Sequence, residues 1–504
     1  MGAGAGGRGA RGGCEGLEGW LRAGGARWEG FAWGRGGASG DSAFCVRALR
    51  KLRAGEEICS IPKKLCLTPV TSGASELLVE EGVGGTLAVV FAVMYEQARG
   101  TDSPWHAYLK TLPDSEPLPI FWSPDDVELL AGTELEEMLE TDLNLMRQDY
   151  DESIKPILAR HPELDVASLD FQAFRRAASL VASRAFYVDS AHGEGMVPLA
   201  DMFNHRTGKE HVHFCAESDS DSEGSEEEEQ EEGERRKKSE RGQEQEPEGK
   251  RPASEKESKE FLTMVVVKDA EMGEELFNTF GMHGNAALLH KYGFAEPDNC
   301  LNTVKIDAEM LEMGFDEKTS TAIAEDLFKD REMQEFYEIS PDGEIEKELL
   351  MVAHFGTLPK SAQKEMLNMP DGGAYAALDA MTEHELLGSG PAFAYVITLL
   401  EERRSLYAWE GTADDDFDRM RAELPAGTGQ EGCTGRAAAY CLSGGEKKVL
   451  ENAFLRTVRL AKEARVAKGR KRPASQGDGG KGGKKRGRRG TVSGAPYDPV
   501  VRLG

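Results

Sequence analysis

The chain has 504 residues, of which 39% are hydrophobic and 30% charged, and a formal net charge of -28. Because one compact domain is rarely this long, we expect two or three folded units with tails. No apolar run approaches the roughly 20 residues that span a bilayer, and the Gly-rich start lacks a signal-peptide apolar region, so we expect a soluble intracellular protein rather than a membrane protein.

The N-terminal part combines strand and helix patterns. Residues 1–16 form a low-complexity, Gly-rich start. Residues 43–48 and 57–61 read as two strands, and Pro62 ends the second. Apolar residues then recur at helical spacing in three segments, 86–99, 125–139 and 171–186. We therefore expect a helical insertion, over about residues 72–190, between two β segments.

A strongly acidic segment follows the insertion. Residues 216–260 contain 18 acidic and 9 basic side chains and hardly any apolar ones, so the segment cannot repay its ordering entropy and is predicted to be a disordered loop. Its flanks, 211–215 and 261–267, read as strands. A long hairpin insertion within one domain is favoured because loop-closure cost grows slowly with length. A domain boundary is the weaker alternative.

The C-terminal part is predicted to be helical. Helical patterns recur after Pro297, at 349–353, 392–400 and 446–455, which indicates a separate domain over 297–462. The tail over 463–504 is basic, is predicted to be disordered and contains two clusters, 468–472 and 484–489. These clusters predict nuclear localisation, with the cytoplasm as a second location; a nucleic-acid tail or a merely solubilising tail is the alternative.

Two blocks some eighty residues apart carry most of the chemical information. One is Val197-Pro-Leu-Ala-Asp-Met-Phe-Asn-His205; the other is Gly273-Glu-Glu-Leu-Phe-Asn-Thr-Phe-Gly281, which continues to Lys291-Tyr-Gly-Phe294. Taken alone, an Asn-His pair is usually a turn, and a Tyr-Gly-Phe run is usually core packing before a helix stop. The blocks therefore need further support.

A metal site is not expected. His205, His211 and His213 could be ligands, but no Cys or acidic partner has suitable spacing, and strand placement explains the last two. The eight cysteines include no C-x-x-C pair, which also argues against a zinc cluster or a disulfide framework.

The two motif blocks, 197–205 and 273–294, resemble the cofactor-binding core of SET-domain methyltransferases in their order along the chain. The whole arrangement resembles the Rubisco large-subunit methyltransferase branch over roughly residues 17–460, with further support from 55–56, 60–65, 103–113, 121–122 and 183–186. Residues 276–281 and 292–299 look most like ribosomal-protein and nuclear non-histone lysine methyltransferases. The resemblance implies an α+β fold: a split, β-rich SET domain over 17–296 with a helical insertion, followed by an all-α substrate-binding domain over 297–462.

The same resemblance implies methyl transfer from S-adenosylmethionine to a protein lysine. Asn204 and His205 would hold the adenosine end of the cofactor, largely through backbone groups, and Arg184 would support its methionine end. A structural ion pair is the alternative for Arg184. Trp122 is a candidate substrate contact, with a buried core Trp as the alternative. The full set of cofactor-binding candidates is Arg184, Asp201, Met202, Phe203, Asn204, His205, Tyr292, Gly293 and Phe294.

The main departure from the family pattern is Phe280, which occupies the position of the usual catalytic tyrosine before Gly281. Losing one well-placed polar group at a reacting centre typically costs about 10² to 10³ in rate. Tyr292 is a candidate for the missing hydroxyl, so Tyr292 and Phe280 are the two candidate catalytic positions. A second departure is Ser42-Ala-Phe-Cys45, where the family usually has a Gly-x-Gly cofactor loop.

These features predict a protein-lysine N-methyltransferase that acts on a basic ribosomal or nuclear protein, with the acidic segment steering that substrate. The main alternative is a catalytically weak SET-fold scaffold, which Phe280 favours. A histidine methyltransferase is a lesser alternative, since that relative has a polar amide where this chain has Ala185. An acidic chaperone is the weakest alternative, because it leaves both motif blocks unexplained. We expect no membrane partner and no sequence-specific nucleic-acid binding, and the oligomeric state is left open.

Overall fold

The structure is a computed structural model that describes residues 9–35, 44–165, 167–216, 260–329, 331, 333–370, 373–388, 390–424 and 432–470. The predictions for the acidic segment and the basic tail lie largely outside these ranges. The predicted disorder of the tail is wrong for residues 463–470, which form the end of a helix that begins at Gly435, because Ala464 is buried and extends the packed face of that helix. Part of the predicted Gly-rich start is helical, because the first helix begins at Gly9. Within the described ranges, no helix has the length and apolar character that a membrane span requires.

The strands of the described residues are short and pair antiparallel. They are β1 Arg27–Trp28, β2 Phe31–Arg35, β3 Phe44–Ala48, β4 Glu57–Pro62, β5 Ala185–Asp189, β6 Gly193–Met196, β7 Val212–Cys215, β8 Phe261–Val266, β9 Phe294–Ala295, β10 Val304–Asp307, β11 Phe336–Ile339 and β12 Cys433–Thr434. A four-stranded sheet has the order β1-β4-β8-β7, and the other strands pair as β2-β3, β5-β6, β9-β12 and β10-β11.

The two strands that flank the acidic segment lie side by side. β7 pairs with β8 in antiparallel register, with His213 opposite Val265. Burial alternates along β8, as expected for a strand with one face on the core. The predicted strands on both sides of the acidic segment are therefore confirmed, and they belong to one sheet.

The α-helices of the described residues are one N-terminal helix, an insertion group, a single central helix and a C-terminal group. They are α1 Gly9–Gly24, α2 Ser75–Glu81, α3 Gly85–Ala98, α4 His106–Leu109, α5 Pro124–Val127, α6 Glu136–Asp149, α7 Lys155–Arg160, α8 Phe171–Arg184, α9 Asn285–Tyr292, α10 Ala308–Glu312, α11 Glu317–Thr321, α12 Lys347–Gly356, α13 Lys360–Leu367, α14 Gly373–Asp379, α15 Glu383–Leu387, α16 Gly390–Ser405, α17 Ala413–Glu423 and α18 Gly435–Arg470.

Two of the predicted insertion helices have different limits in the structure. The segment 125–139 is broken between α5 and α6, because Gly132 has a positive φ of 73° and packs against the backbone of Leu406. The helix predicted over 171–186 ends at Arg184, and the next residues form β5, in which Phe186 pairs with Gly195. In both cases a contact distant in sequence overrides the local helical pattern.

Three apolar clusters form the core. The first lies under the N-terminal strands and includes the buried face of α3 and α8. The second fills the C-terminal region. The third joins the insertion, α9 and the start of α18 through residues such as Leu130, Leu289 and Leu442. The C-terminal region is helical as predicted, but it also contains the β10-β11 sheet and contributes β12 to β9.

A buried polar contact also ties the insertion to the C-terminal region. Glu446 of α18 accepts hydrogen bonds from the Tyr407 hydroxyl at 2.9 Å and from the backbone N–H of Glu134 at 3.2 Å. Arg403 donates to the Gly132 carbonyl at 2.7 Å. Burial raises the pKa of Glu446 to about 8, against the opposing effect of the Arg403 charge.

Candidate active site

A cavity of about 400 Å³ lies where the insertion, the two motif blocks and β12 meet. This volume is within the range of small-molecule sites. The lining residues are Phe44, Thr111, Leu112, Pro113, Ser115, Glu116, Pro117, Ser183, Arg184, Asp201, Met202, Phe203, Asn204, His205, Phe280, Tyr292, Phe294 and Thr434. Most of the sequence-predicted site residues are therefore brought together, although Gly293 and Trp122 are not among the lining residues.

One end of the cavity is polar. Arg184, the last residue of α8, donates from Nε to Glu116 at 2.5 Å and from Nη1 to the Asp201 carbonyl at 3.1 Å. The Tyr108 hydroxyl donates to Asp201 Oδ2 at 2.7 Å. Burial alone would lower the pKa of Arg184, but the Glu116 and Asp201 carboxylates outweigh it and raise that pKa. Burial raises the pKa of Asp201 to about 6 despite the nearby Arg184 charge.

A strained turn places the first motif block along the cavity. Leu199 is buried and has a φ of 79°, a conformation that costs a residue other than Gly or Asn roughly 1–3 kcal/mol. A 3-10 turn over Ala200–Met202 follows at once. The turn directs residues 201–205 to the cavity, where all five line the wall.

Asn204 ties the first block to the second. Its side-chain amide donates to the Phe44 carbonyl at 3.0 Å and to Glu275 Oε1 at 2.9 Å. Its backbone carbonyl accepts from the Asn278 N–H at 2.8 Å. Both amide hydrogens are thus directed to protein acceptors, which is consistent with a predicted cofactor contact through the backbone rather than the side chain.

The other end of the cavity is aromatic. The His205 ring stacks on Phe280 at 5.2 Å between centroids, and Phe280 lies 4.8 Å from Tyr292. The Phe280 N–H donates to His205 Nδ1 at 3.0 Å, so Nε2 carries the proton and faces the Thr207 hydroxyl at 3.1 Å. Burial, aided by the charge of His283, lowers the pKa of His205 to about 4, which leaves the ring neutral at pH 7.

Tyr292 is the hydroxyl-bearing residue of this aromatic end. Its O–H donates to the Phe280 carbonyl at 3.3 Å. Gly293 ends α9 with a φ of 79°, and a Cβ at this position would lie 2.9 Å from Cγ of Pro117. Gly293 therefore serves close packing between the Tyr-Gly-Phe run and the wall formed by Thr111–Pro117, rather than direct lining of the cavity.

The structure places Trp122 outside the cavity. Its indole Nε1 donates to the Pro117 carbonyl at 3.2 Å, and its ring packs against the third apolar cluster. The Trp122 side chain is half-buried, and its role as a substrate contact stays a prediction. Conversely, Glu116 and Thr434 line the cavity without having been predicted. Glu116 lies just beyond the 103–113 segment and resembles any surface glutamate in sequence, and nothing in the sequence marks Thr434.

Comparison with known proteins shows which solved structures and sequences this chain resembles. No protein-family model matches the chain. The crystal structure of the SET domain of LSMT bound to lysine and AdoHcy superposes with a TM-score of 0.63 over 90% of this chain and 93% of that one, at 17% identity. The chain has the SET fold. Rubisco LSMT bound to AdoMet gives a TM-score of 0.59 over 92% of this chain and 97% of that one, at 17% identity.

The SET fold inferred from the motifs is thereby confirmed. N-lysine methyltransferase setd6 of Danio rerio is 26% identical over 276 residues, which cover 50% of this chain and 51% of that protein. The chain spans about half the length of the curated relatives it matches. Similarity in sequence and similarity in fold thus point to the same branch of SET-domain proteins.

Proposed function

We propose that this SET-domain protein is a protein-lysine N-methyltransferase that uses S-adenosylmethionine. The observation that carries the proposal is one cavity lined both by the charged Arg184 and by the aromatic residues Phe280 and Tyr292. The relative from Danio rerio is named an N-lysine methyltransferase, and the two LSMT structures were solved with AdoHcy or AdoMet.

The residues present fit this cofactor. Arg184 uses Nε and Nη1 within the protein, whereas its Nη2 has no hydrogen bond among the described residues. A guanidinium with a free terminal nitrogen suits a carboxylate, such as that of the methionine moiety. The backbone of Asn204 and His205 would face the adenosine end, as the resemblance implies, and Phe294 would cover the cofactor. When bound, S-adenosylmethionine supplies an electrophilic methyl group.

The aromatic end suits a lysine side chain that must lose a proton before attack. With a pKa near 10.4, deprotonation at pH 7 costs roughly 4 to 5 kcal/mol. Aromatic walls at Phe280, Tyr292 and Phe294 lower this cost, because desolvation disfavours the ammonium form. The Tyr292 proton is donated to the Phe280 carbonyl, so the phenol oxygen remains an acceptor for an amine N–H. Tyr292 thus orients the lysine amine that receives the methyl group. Most of the catalysis comes from positioning this amine and the cofactor.

The second candidate function is a catalytically weak scaffold with the SET fold. The phenyl ring of Phe280 favours it, because this side chain offers no hydrogen bond at the usual tyrosine position. The contact between Phe280 and Tyr292 favours the enzyme instead, because it keeps a hydroxyl within the same aromatic cluster. The two candidates differ in whether Tyr292 affects methyl transfer.

The substrate is proposed to be a basic ribosomal or nuclear protein. A net charge of -28 attracts basic partners over long range, an effect that weakens with salt. Nuclear localisation, with the cytoplasm as a second location, remains a prediction from the basic clusters near the C-terminal end of the sequence.

The test uses the full chain with isotopically labelled S-adenosylmethionine and an extract of ribosomal and nuclear proteins. Wild type should label lysines, and Tyr292→Phe should lower the rate while leaving stability nearly unchanged, because its hydroxyl makes one long hydrogen bond. Phe280→Tyr should raise the rate. Label from Phe280→Tyr alone would support the scaffold, and a wild-type protein that binds no AdoHcy would contradict the proposed function.

A further inference from the structure

Glu116 has an arrangement that a purely structural ion pair does not require. Its side chain is only 9% exposed, and Oε1 accepts from Arg184 Nε at 2.5 Å. Its other oxygen, Oε2, makes no hydrogen bond among the described residues. Glu116 nevertheless lines the cavity, and Oε2 is not among the fully buried unsatisfied atoms of the described residues, so a ligand can reach it.

The backbone holds Glu116 in this position. The following residue is Pro117, which restricts Glu116 to an extended conformation. The Glu116 N–H donates to the Ser179 hydroxyl at 3.2 Å, and Pro117 packs against Gly293. The carboxylate is thus fixed between α8 and the Tyr-Gly-Phe run before any ligand binds, which reduces the ordering cost of binding.

The charges around the polar end do not balance. Arg184 is one cation between two carboxylates, those of Glu116 and Asp201, with Asp201 Oδ2 at 3.8 Å from Nη1. Because Nη2 of Arg184 has no hydrogen-bond partner in the described part of the chain, this end of the cavity presents both an unused donor and an excess of acceptors. A ligand that carries a carboxylate and an ammonium on the same carbon would satisfy both.

Asp201 is the less accessible of the two carboxylates. Its Oδ2 already accepts from the Tyr108 hydroxyl, and its Oδ1 is fully buried with no hydrogen-bond partner. A ligand could reach Oδ1 only after the surrounding side chains move. Glu116 is therefore the carboxylate that an incoming ammonium meets.

We propose that Glu116 is the residue that recognises the α-ammonium group of the cofactor, so that Glu116 and Arg184 together form a receptor for a zwitterionic amino-acid moiety. The proposal rests on the proposed function, because it assumes a cofactor that ends in an α-amino acid. It adds a specificity-determining residue from the insertion, outside both motif blocks.

The test is a comparison of ligands by isothermal titration calorimetry on the full chain. AdoHcy carries both charged groups, and S-(5′-adenosyl)-4-thiobutyrate keeps the carboxylate but lacks the amine. Wild type should bind AdoHcy about 10- to 100-fold more tightly than the des-amino ligand, the size expected for one hydrogen bond to a charged group. This difference is measured without any variant and so does not depend on a variant's folding.

Glu116→Gln keeps the shape of the side chain and removes its charge. It should weaken AdoHcy binding by about 10- to 100-fold and change the affinity of the des-amino ligand less than about threefold. Glu140→Gln, at an exposed position of α6, is the matched control and should change neither affinity. If Glu116 recognises the ammonium group, Glu116→Gln should therefore no longer prefer AdoHcy over the des-amino ligand.

The other outcomes are distinct. Equal weakening of both ligands by Glu116→Gln would overturn the proposal, since that result describes a residue that only supports Arg184. Equal binding of both ligands to wild type would overturn it as well. If wild type binds neither ligand, the proposed function fails and this proposal fails with it, whereas tight AdoHcy binding without amine preference overturns this proposal alone.

Discussion

Asn204→Ala is expected to destabilise the fold rather than remove a ligand contact. The substitution deletes two hydrogen bonds, to the Phe44 carbonyl at 3.0 Å and to the Glu275 carboxylate at 2.9 Å. A neutral bond contributes about 0.5–1.5 kcal/mol and a bond to a charged group about 1.5–3 kcal/mol, so the free energy of unfolding should fall by about 2–4 kcal/mol. Because the Glu275 side chain is 5% exposed, water cannot easily replace the lost donor.

Urea unfolding followed by tryptophan fluorescence measures this change. Asn144→Ala is the matched control, because Asn144 is exposed on α6 and should change stability by less than about 0.5 kcal/mol. Hydrogen exchange at residues 276–280 should rise in Asn204→Ala. The Asn278 N–H donates to the carbonyl of residue 204, and the backbone there is held less firmly once the side-chain hydrogen bonds are lost. Wild-type stability combined with lost AdoHcy binding would refute the reasoning and make the amide a ligand contact.

Two further predictions concern Gly293 and Glu446. Gly293→Ala should raise the dissociation constant of AdoHcy at least tenfold, because a Cβ would clash with Pro117 and the left-handed backbone costs an alanine about 1–2 kcal/mol of conformational energy. Gly55→Ala is the control: Gly55 has a φ of 89° and open space around it, so the substitution should leave that constant unchanged. For Glu446, the folded-state pKa of about 8 exceeds the ordinary 4.5, so stability should fall as pH rises between these values, by up to about 1.4 kcal/mol per unit. Glu446→Gln should flatten this slope in thermal unfolding between pH 5 and 8, and an unchanged slope would contradict the assignment.

Local pattern was a good guide where burial is set by neighbours in sequence. The helix predicted over 86–99 is observed as Gly85–Ala98, and the strand at 57–61 as Glu57–Pro62. The local helical pattern gave wrong predictions at two positions. At Gly132, contact with the backbone of Leu406 breaks the helix, and at Phe186, strand pairing with Gly195 replaces the helix. Those decisions depend on contacts between distant segments, which periodicity does not record.

The same distinction holds for the cavity. Residues 201–205 could be predicted because they form one contiguous turn, and Arg184 because the family motif includes it. Glu116 could not be predicted, since its significance comes from its contact with Arg184 at the end of α8, which is distant in sequence. Thr434 could not either, because it reaches the cavity only through pairing with Phe294. The family resemblance assigned Phe280 and Tyr292 to the same site, but their ring contact and the Tyr292 hydrogen bond to the Phe280 carbonyl required the structure.

The pairing of Phe294–Ala295 with Cys433–Thr434 makes the C-terminal region part of the cavity wall. A fragment that stopped before Gly432 would lack the wall at Thr434 and would leave the backbone groups of β9 as an open strand edge, which favours self-association. Exchange of helical regions between relatives would therefore preserve a complete cavity only if the graft carried this short strand with it. The strand makes the two regions interdependent rather than modular.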